Sequence, residues 1–216
     1  MVVAKQDEAL FPIDDPLFNE LVAEGVVRSY PKKAILISEG DDGNSVYLVL
    51  SGRLKIYTSD ESGKELVLAF CGPGDIVGEM ALDGSKRCAT VMTAEPTRCG
   101  VITHARFRER IKNDPDLAMR VITRLIRRSR TATKAAKELA LASVYSRVVN
   151  LLSDLAVPAA GGVHIVQEKL SQQDIAHRVG SSRDMVNKVF KELVQGGYIE
   201  VNNREVVLLK TPPAHW

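Results

Sequence analysis

The chain has no long hydrophobic run. Nowhere in its 216 residues does an apolar stretch approach the ~18 residues that a membrane-crossing helix needs, so no membrane partner is expected. The opening MVVAKQDEALFPIDDP is acidic and broken by prolines, which does not read as a secretory signal. Cysteine is scarce: Cys71, Cys88 and Cys99 are an odd number at no metal-ligand spacing. That argues against a disulfide framework and a zinc site and points to free thiols in a reducing cytoplasm, with Cys88 expected as a buried, unreactive thiol. Four histidines are too scattered for an axial-ligand set: His104 is isolated at a strand–helix junction, and His164, His177 and His215 fall towards the C-terminus. No Walker loop, no Ser/His/Asp or Cys/His constellation and no repeat of 20–50 residues stands out, so neither catalysis nor a required cofactor is expected.

What is present is unevenly distributed. The net charge of +2 by itself predicts no nucleic-acid partner. Residues 1–103 carry 10 basic against 16 acidic side chains, residues 104–137 carry 11 against 3, and residues 142–216 carry 8 against 7. An acidic front, a basic middle and a neutral end suggest a division of labour, although a basic helix with a solvated face explains the middle equally well.

Residues 20–103 read as β. Short apolar runs (AILIS, SVYLVLSGRLKIYTSD, ELVLAF) alternate with glycine-bearing turns. The run over Val46, Leu48 and Leu50 is apolar on both faces. Leu54 and Ile56 alternate with Lys55 and Tyr57, a half-buried strand. Regular short strands of this kind build a jelly-roll-like β-roll. Asp114-Pro115 separates a short helix from a long one free of glycine and proline as far as Ala142. Along that helix Ala118, Ile122, Leu125, Ser129, Ala132, Ala136 and Leu139 recur at 4,3 spacing without a charge, the pattern of a two-stranded seam. The fold class expected is therefore α+β, with a sensor-like β domain over 1–114, a dimerisation helix over 115–141 and a third part over 142–216.

The third part contains the most informative segment, SQQDIAHRVGSSRDMVNKVFKELVQGG. Ser171 and Asp174 form a capping-box pair, Ile175 and Val179 an apolar face, and Gly180 a sharp turn. A second serine pair precedes a helix whose Val186, Val189, Phe190 and Leu193 face inward. Small Ala176, then Gly180, then aliphatic Val186 is the helix-turn-helix spacing. Ser182, Arg183, Asp184, Asn187, Lys188 and Lys191 make one polar stripe on the outer face. Such a stripe fits the major groove of double-stranded DNA. There Arg183 can pair with guanine and Asp184 can accept from cytosine or serve only as a cap, while Asn187, Lys188 and Lys191 suit bases or phosphates. GGYIEVNNREVVLLK then reads as two strands around Asn202-Asn203, a wing.

The chain resembles the cyclic AMP receptor/fumarate-nitrate regulator (CRP/FNR) family of bacterial transcription factors along nearly its whole length. SSRDMVNKVFKELVQGGYIE looks like the family's recognition helix and winged helix-turn-helix, with Arg183, Asp184 and Lys188 at its base-reading positions. GDIVGEMALDGSKRCATVMTAEP looks like the phosphate-binding cassette of cyclic-nucleotide-binding domains. The resemblance implies that Gly78, Glu79 and Met80 form a short helical turn, that Glu79 accepts from a ribose hydroxyl and that Arg87 pairs with the cyclic phosphate. Cys88 replaces the usual Ser or Thr. Arg128 and Thr133 on the long helix reach the ligand, Thr133 across the dimer.

Two features depart from the family pattern: the loop from Glu79 to Arg87 is about one residue short, and Ala132 stands where cyclic-AMP-responsive members often carry Thr. The implied effector is accordingly cyclic AMP (cAMP), cyclic GMP, a cyclic dinucleotide, another small molecule, or none. The implied partners are duplex DNA, a second copy of the chain and RNA polymerase, the last through the turn from Pro158 to Gly162. The rival readings are a ligand-independent regulator with a vestigial sensor and a cyclic-nucleotide-binding regulatory subunit.

Overall fold

The structure, a computed structural model, describes residues 9–12 and 14–213; the first eight residues, which carry half of the opening segment read above, and His215 lie outside the described residues. Within them, residues 9–58 and 68–130 form one compact unit, and residues 59–67 and 131–213 a second.

The first unit opens on α1 (Pro16–Ala23). The Asp15 carboxylate accepts from the amides of Leu17 and Phe18, and proline occupies the first turn, where no amide is needed. Eight strands follow: β1 (Val26–Tyr30), β2 (Ile35–Ile37), β3 (Ser45–Ser51), β4 (Leu54–Ser59), β5 (Glu65–Cys71), β6 (Ile76–Val77), β7 (Thr90–Thr93) and β8 (Thr97–Thr103). They form two four-stranded sheets in the orders β1-β8-β3-β6 and β2-β7-β4-β5, the β-roll that the short strands implied. Strand β3 sends Val46 and Leu48 into one core, with Phe11, Phe18 and Phe107, and Val49 into a second, with Leu54, Ile56 and Val91. That two-sided burial is why it reads as a continuous apolar run. The expected short helix is α2 (His104–Asn113), and the long one is α3 (Pro115–Leu141), whose Leu117, Val121 and Arg124 turn inward.

The second unit carries α4 (Val144–Leu155), β9 (Ala156–Pro158), β10 (His164–Val166), α5 (Gln172–Val179), α6 (Arg183–Gln195), β11 (Ile199–Asn202) and β12 (Glu205–Leu208), with the sheet ordered β11-β12-β10-β9. Leu151, Leu152, Ile175, Val179, Val186 and Leu193 form its core. Strand β9 was not legible as a strand: the sequence reads as helix through Val157, but the residue before a proline is pushed to extended geometry, and α4 stops at Leu155. The wing turn also sits one residue later than expected. Asn202 pairs with Glu205, leaving Asn203 and Arg204 at φ 49° and 68° in the left-handed region that a two-residue hairpin turn demands.

Candidate functional site

Helices α5 and α6 are fixed by the capping chemistry read from the sequence. The Ser171 hydroxyl accepts from the Asp174 amide while the Asp174 carboxylate accepts from the Ser171 amide, and Gly180 ends α5 at φ 63°, ψ 46°. Ser182 caps α6 by accepting from the Met185 amide. Val186, Val189, Phe190 and Leu193 are buried, which turns the opposite face of α6 outward. There Ser182, Arg183, Asp184, Lys188 and Lys191 are exposed, and half-buried Asn187 accepts from the Gln172 side chain at 3.3 Å. The structure thus presents the predicted stripe as one surface. Sequence reasoning missed Arg147, buried on α4. Its Nε donates to the Val179 carbonyl and its Nη1 to the Ala142 carbonyl, both at 2.8 Å, which pins the last turn of α5. The turn from Pro158 to Gly162 is exposed apart from half-buried Ala159.

In the first unit, Gly78 adopts φ 98° at the start of a 3-10 turn over Glu79–Ala81. A β-carbon there would lie 2.8 Å from the Ser45 carbonyl oxygen and 2.9 Å from Arg87 Nη1, so glycine is required by both conformation and space. The turn buries Glu79 and leaves Met80 exposed. Glu79 pairs with Arg128 of α3 and not with Arg87. Burial, the largest single effect, works against the Arg128 charge, but Glu79, Cys71 and Asp75 together outweigh it and hold the guanidinium above its ordinary pKa. Arg87 instead donates to the main-chain carbonyls of Gly78 (2.8 Å) and Ser45 (2.7 Å).

A cavity of about 40 Å³ lies among Gly78, Glu79, Met80, Arg87, Cys88 and Arg128, walled by Ile37, Ile56, Val77 and Val91. Five predicted ligand residues therefore converge with Arg128, while Thr133 is exposed on α3 and is not among the cavity's lining residues. Cys88 is exposed, not buried as expected. Arg87 and Ala89 point inward, and an extended chain sends the residue between them outward. Cys71 and Cys99 are the buried thiols, each pushed up to about 12 by burial. Beneath the cavity lies a pair that no sequence signal marked: Arg124 Nη2 stands 2.7 Å from Asp75 Oδ1, with the side chains 5% and 2% exposed. Burial raises the Asp75 pKa, against the pull of Arg124 and of the Gly72 amide.

Along α3 the predicted seam is exposed except for half-buried Ala118, but the apolar stripe is broader than the 4,3 register. Met119 (58%) and Ile126 (47%) are as exposed as Ile122 (46%) and Leu125 (38%). A straight helix drifts about 20° per heptad against a 3.5-residue repeat, so the lower positions Ala132, Ala136 and Leu139 rotate away from the face that Ile122 defines.

With this geometry in place, comparison with known proteins is decisive. Residues 27–114 match the model for the cyclic nucleotide-binding domain, and residues 146–213 match the Crp-like helix-turn-helix domain. The chain belongs to the CRP/FNR family. It is similar to the cAMP-activated global transcriptional regulator CRP of Haemophilus influenzae, 29% identical over 212 residues that cover 96% of this chain and 94% of that protein. The cAMP-activated regulator Vfr of Pseudomonas aeruginosa is 28% identical over 200 residues, 89% of this chain and 94% of its own. Among solved structures, the c-di-GMP responsive global regulator CLP of Xanthomonas campestris aligns with a TM-score of 0.82 at 27% identity, covering 91% of this chain and all of that one. As a CRP/FNR member the protein is a DNA-binding transcription regulator with a cyclic nucleotide-binding domain, not an enzyme. No helix among the described residues is long and apolar enough to cross a membrane.

Proposed function

We propose that the protein is a cytoplasmic homodimer whose binding to operator DNA is controlled by a cyclic nucleotide, cyclic AMP in the first instance, held beside Glu79 and Arg87. The observation that carries this reading is the state of the Glu79 carboxylate. Its Oε1 is held by Arg128, and its Oε2 is buried at the cavity without a hydrogen-bond partner among the described residues. A buried acceptor of this kind is costly unless a donor arrives, and a ribose hydroxyl is such a donor. The relatives' names, cAMP-activated for CRP and Vfr, support the same class.

The cavity, about 40 Å³, is too small for a nucleotide, so its lining has to move to admit one, and Arg128 is the lining residue that α3 supplies. Arg128 lies on α3, the helix whose exposed stripe over Met119, Ile122, Leu125 and Ile126 would pair with its copy. Ligand binding and helix pairing are thereby coupled through one side chain, and a ligand that binds the two arrangements unequally shifts their populations. Two α6 helices in the dimer then read half-sites about 34 Å apart, Arg183, Asp184 and Lys188 at base edges and Ser182, Asn187 and Lys191 at phosphates or bases. By the same family reasoning, the exposed turn from Pro158 to Gly162 is where RNA polymerase would dock.

Titration calorimetry with cyclic AMP, cyclic GMP and cyclic di-GMP, paired with DNA binding in the presence and absence of each, tests the proposal. Cyclic AMP is expected to bind and tighten DNA binding, and Glu79→Gln to weaken the nucleotide by about tenfold or more through loss of a charge-assisted bond. DNA binding that persists while no nucleotide gives heat would establish the ligand-independent alternative. Heat only with cyclic di-GMP would assign the site to a dinucleotide.

A further inference from the structure

The carbonyl oxygen of Gly78 serves two donors. Arg87 Nη1 reaches it at 2.8 Å, and His104 Nε2 at 3.0 Å. A carbonyl only accepts, so the imidazole carries a proton on Nε2. His104 opens α2 directly after β8 and is 8% exposed, and its own amide donates to the Asn44 carbonyl at 2.7 Å. It is not among the cavity's lining residues. Its position is thus fixed by its own segment, independently of anything bound in the cavity.

Nη1 has a second hydrogen, but turning the Arg87 guanidinium to meet an anion squarely would break its bond to Gly78. Leaving would strip a half-buried carbonyl of a donor, and an acceptor left short of donors counts against whatever caused the departure. His104 removes that obstacle: it keeps the carbonyl satisfied with either arginine arrangement. We propose that His104 is a positioning residue of the sensor cavity, holding the Gly78 carbonyl so that Arg87 is free to turn to an anionic ligand. This rests on the nucleotide reading of the cavity given above. The charged side chains acting on His104 are Arg87, from the cassette, and Arg108, one turn on in α2. Burial and these two cations keep the imidazole below its ordinary pKa and therefore neutral near pH 7.

The test is a double-mutant cycle on the full-length protein with cyclic AMP as the probe. His104→Leu removes the donor and is expected to weaken cyclic AMP by about tenfold. His104→Gln, whose amide places a donor near the Nε2 position, is expected to stay within about twofold of the parent. In an Arg87→Leu background no arginine remains to be released, so His104→Leu should cost no further nucleotide affinity. A merely structural role would lower affinity equally in both backgrounds, and that result, or a Gln variant as poor as Leu, overturns the proposal. Should the parent bind no cyclic AMP, the nucleotide reading fails by itself and amide hydrogen exchange decides His104. The amides of Glu79 to Leu82 are then expected to exchange about tenfold faster on His104→Leu in the Arg87→Leu background but little faster in the parent. Equal acceleration in both backgrounds sinks the assignment.

Discussion

Substitution of Arg124 by methionine isolates the buried pair below the cavity. Arg124 and Asp75 are 5% and 2% exposed and 2.7 Å apart, so the methionine fills most of the volume but leaves a carboxylate buried without its cation. Breaking such a pair from one side typically costs about 3–5 kcal/mol. Here the Gly72 amide still donates to Asp75 Oδ2 at 2.9 Å, which places the expectation near the lower end, about 3 kcal/mol. For a chain of this size each kcal/mol corresponds to about 2–4 °C, so Tm falls by about 6–12 °C.

The pH dependence distinguishes this cause from a simple packing defect. The folded-state pKa of Asp75 already lies above its ordinary value and rises further without Arg124. A raised carboxylate contributes most below its unfolded pKa, and that contribution is lost as pH climbs through the folded value. The deficit of Arg124→Met relative to the parent therefore narrows as pH falls through the raised folded-state value towards the ordinary carboxylate range. Asp75→Asn in the same chain removes the orphaned charge and recovers most of the loss. Urea unfolding at fixed protomer concentration measures all three proteins. A deficit below about 1 kcal/mol, a deficit that does not narrow as pH falls towards the ordinary carboxylate range, or a double variant no better than the single would refute the reasoning.

Arg183→Ala is expected to weaken operator binding by about 1–3 kcal/mol and flatten preference at one base pair of each half-site in a binding selection, whereas Lys191→Ala lowers affinity across all sequences and reduces the salt slope by about one. Ile126→Glu places a charge in the exposed α3 stripe and should yield monomers in sedimentation at micromolar concentration, while Leu141→Glu beyond the predicted seam should not. Ser171→Ala removes the α5 cap and should cost about 1 kcal/mol, read by chemical unfolding. Burial, the largest single effect, raises the Asp174 pKa, but the Ser171 hydroxyl and amide with Arg178 and His177 together outweigh it and hold it low, so that share of stability is present at neutral pH and disappears as pH falls below the ordinary carboxylate range.

Much of this protein was legible in the chain because local rules agreed with the fold. Capping pairs at Ser171/Asp174 and Ser182, the positive-φ turn at Gly180 and the apolar period of α6 are set by interactions within a few residues, so they name the DNA-facing helix before any packing is known. The β-roll announced itself through short alternating runs, and α3 through a stretch without glycine or proline. The family resemblance brought Glu79, Arg87 and Arg128 to one place, which spacing could not do. What the sequence left open depends on partners distant along the chain. Whether Arg128 pairs with Glu79, whether Arg124 meets Asp75 and which carbonyls receive Arg87 and His104 are decided only when α2 and α3 dock on the sheets. Burial by that docking also makes those charges consequential, since an ion pair in water is worth little and an unpaired charge away from it is expensive.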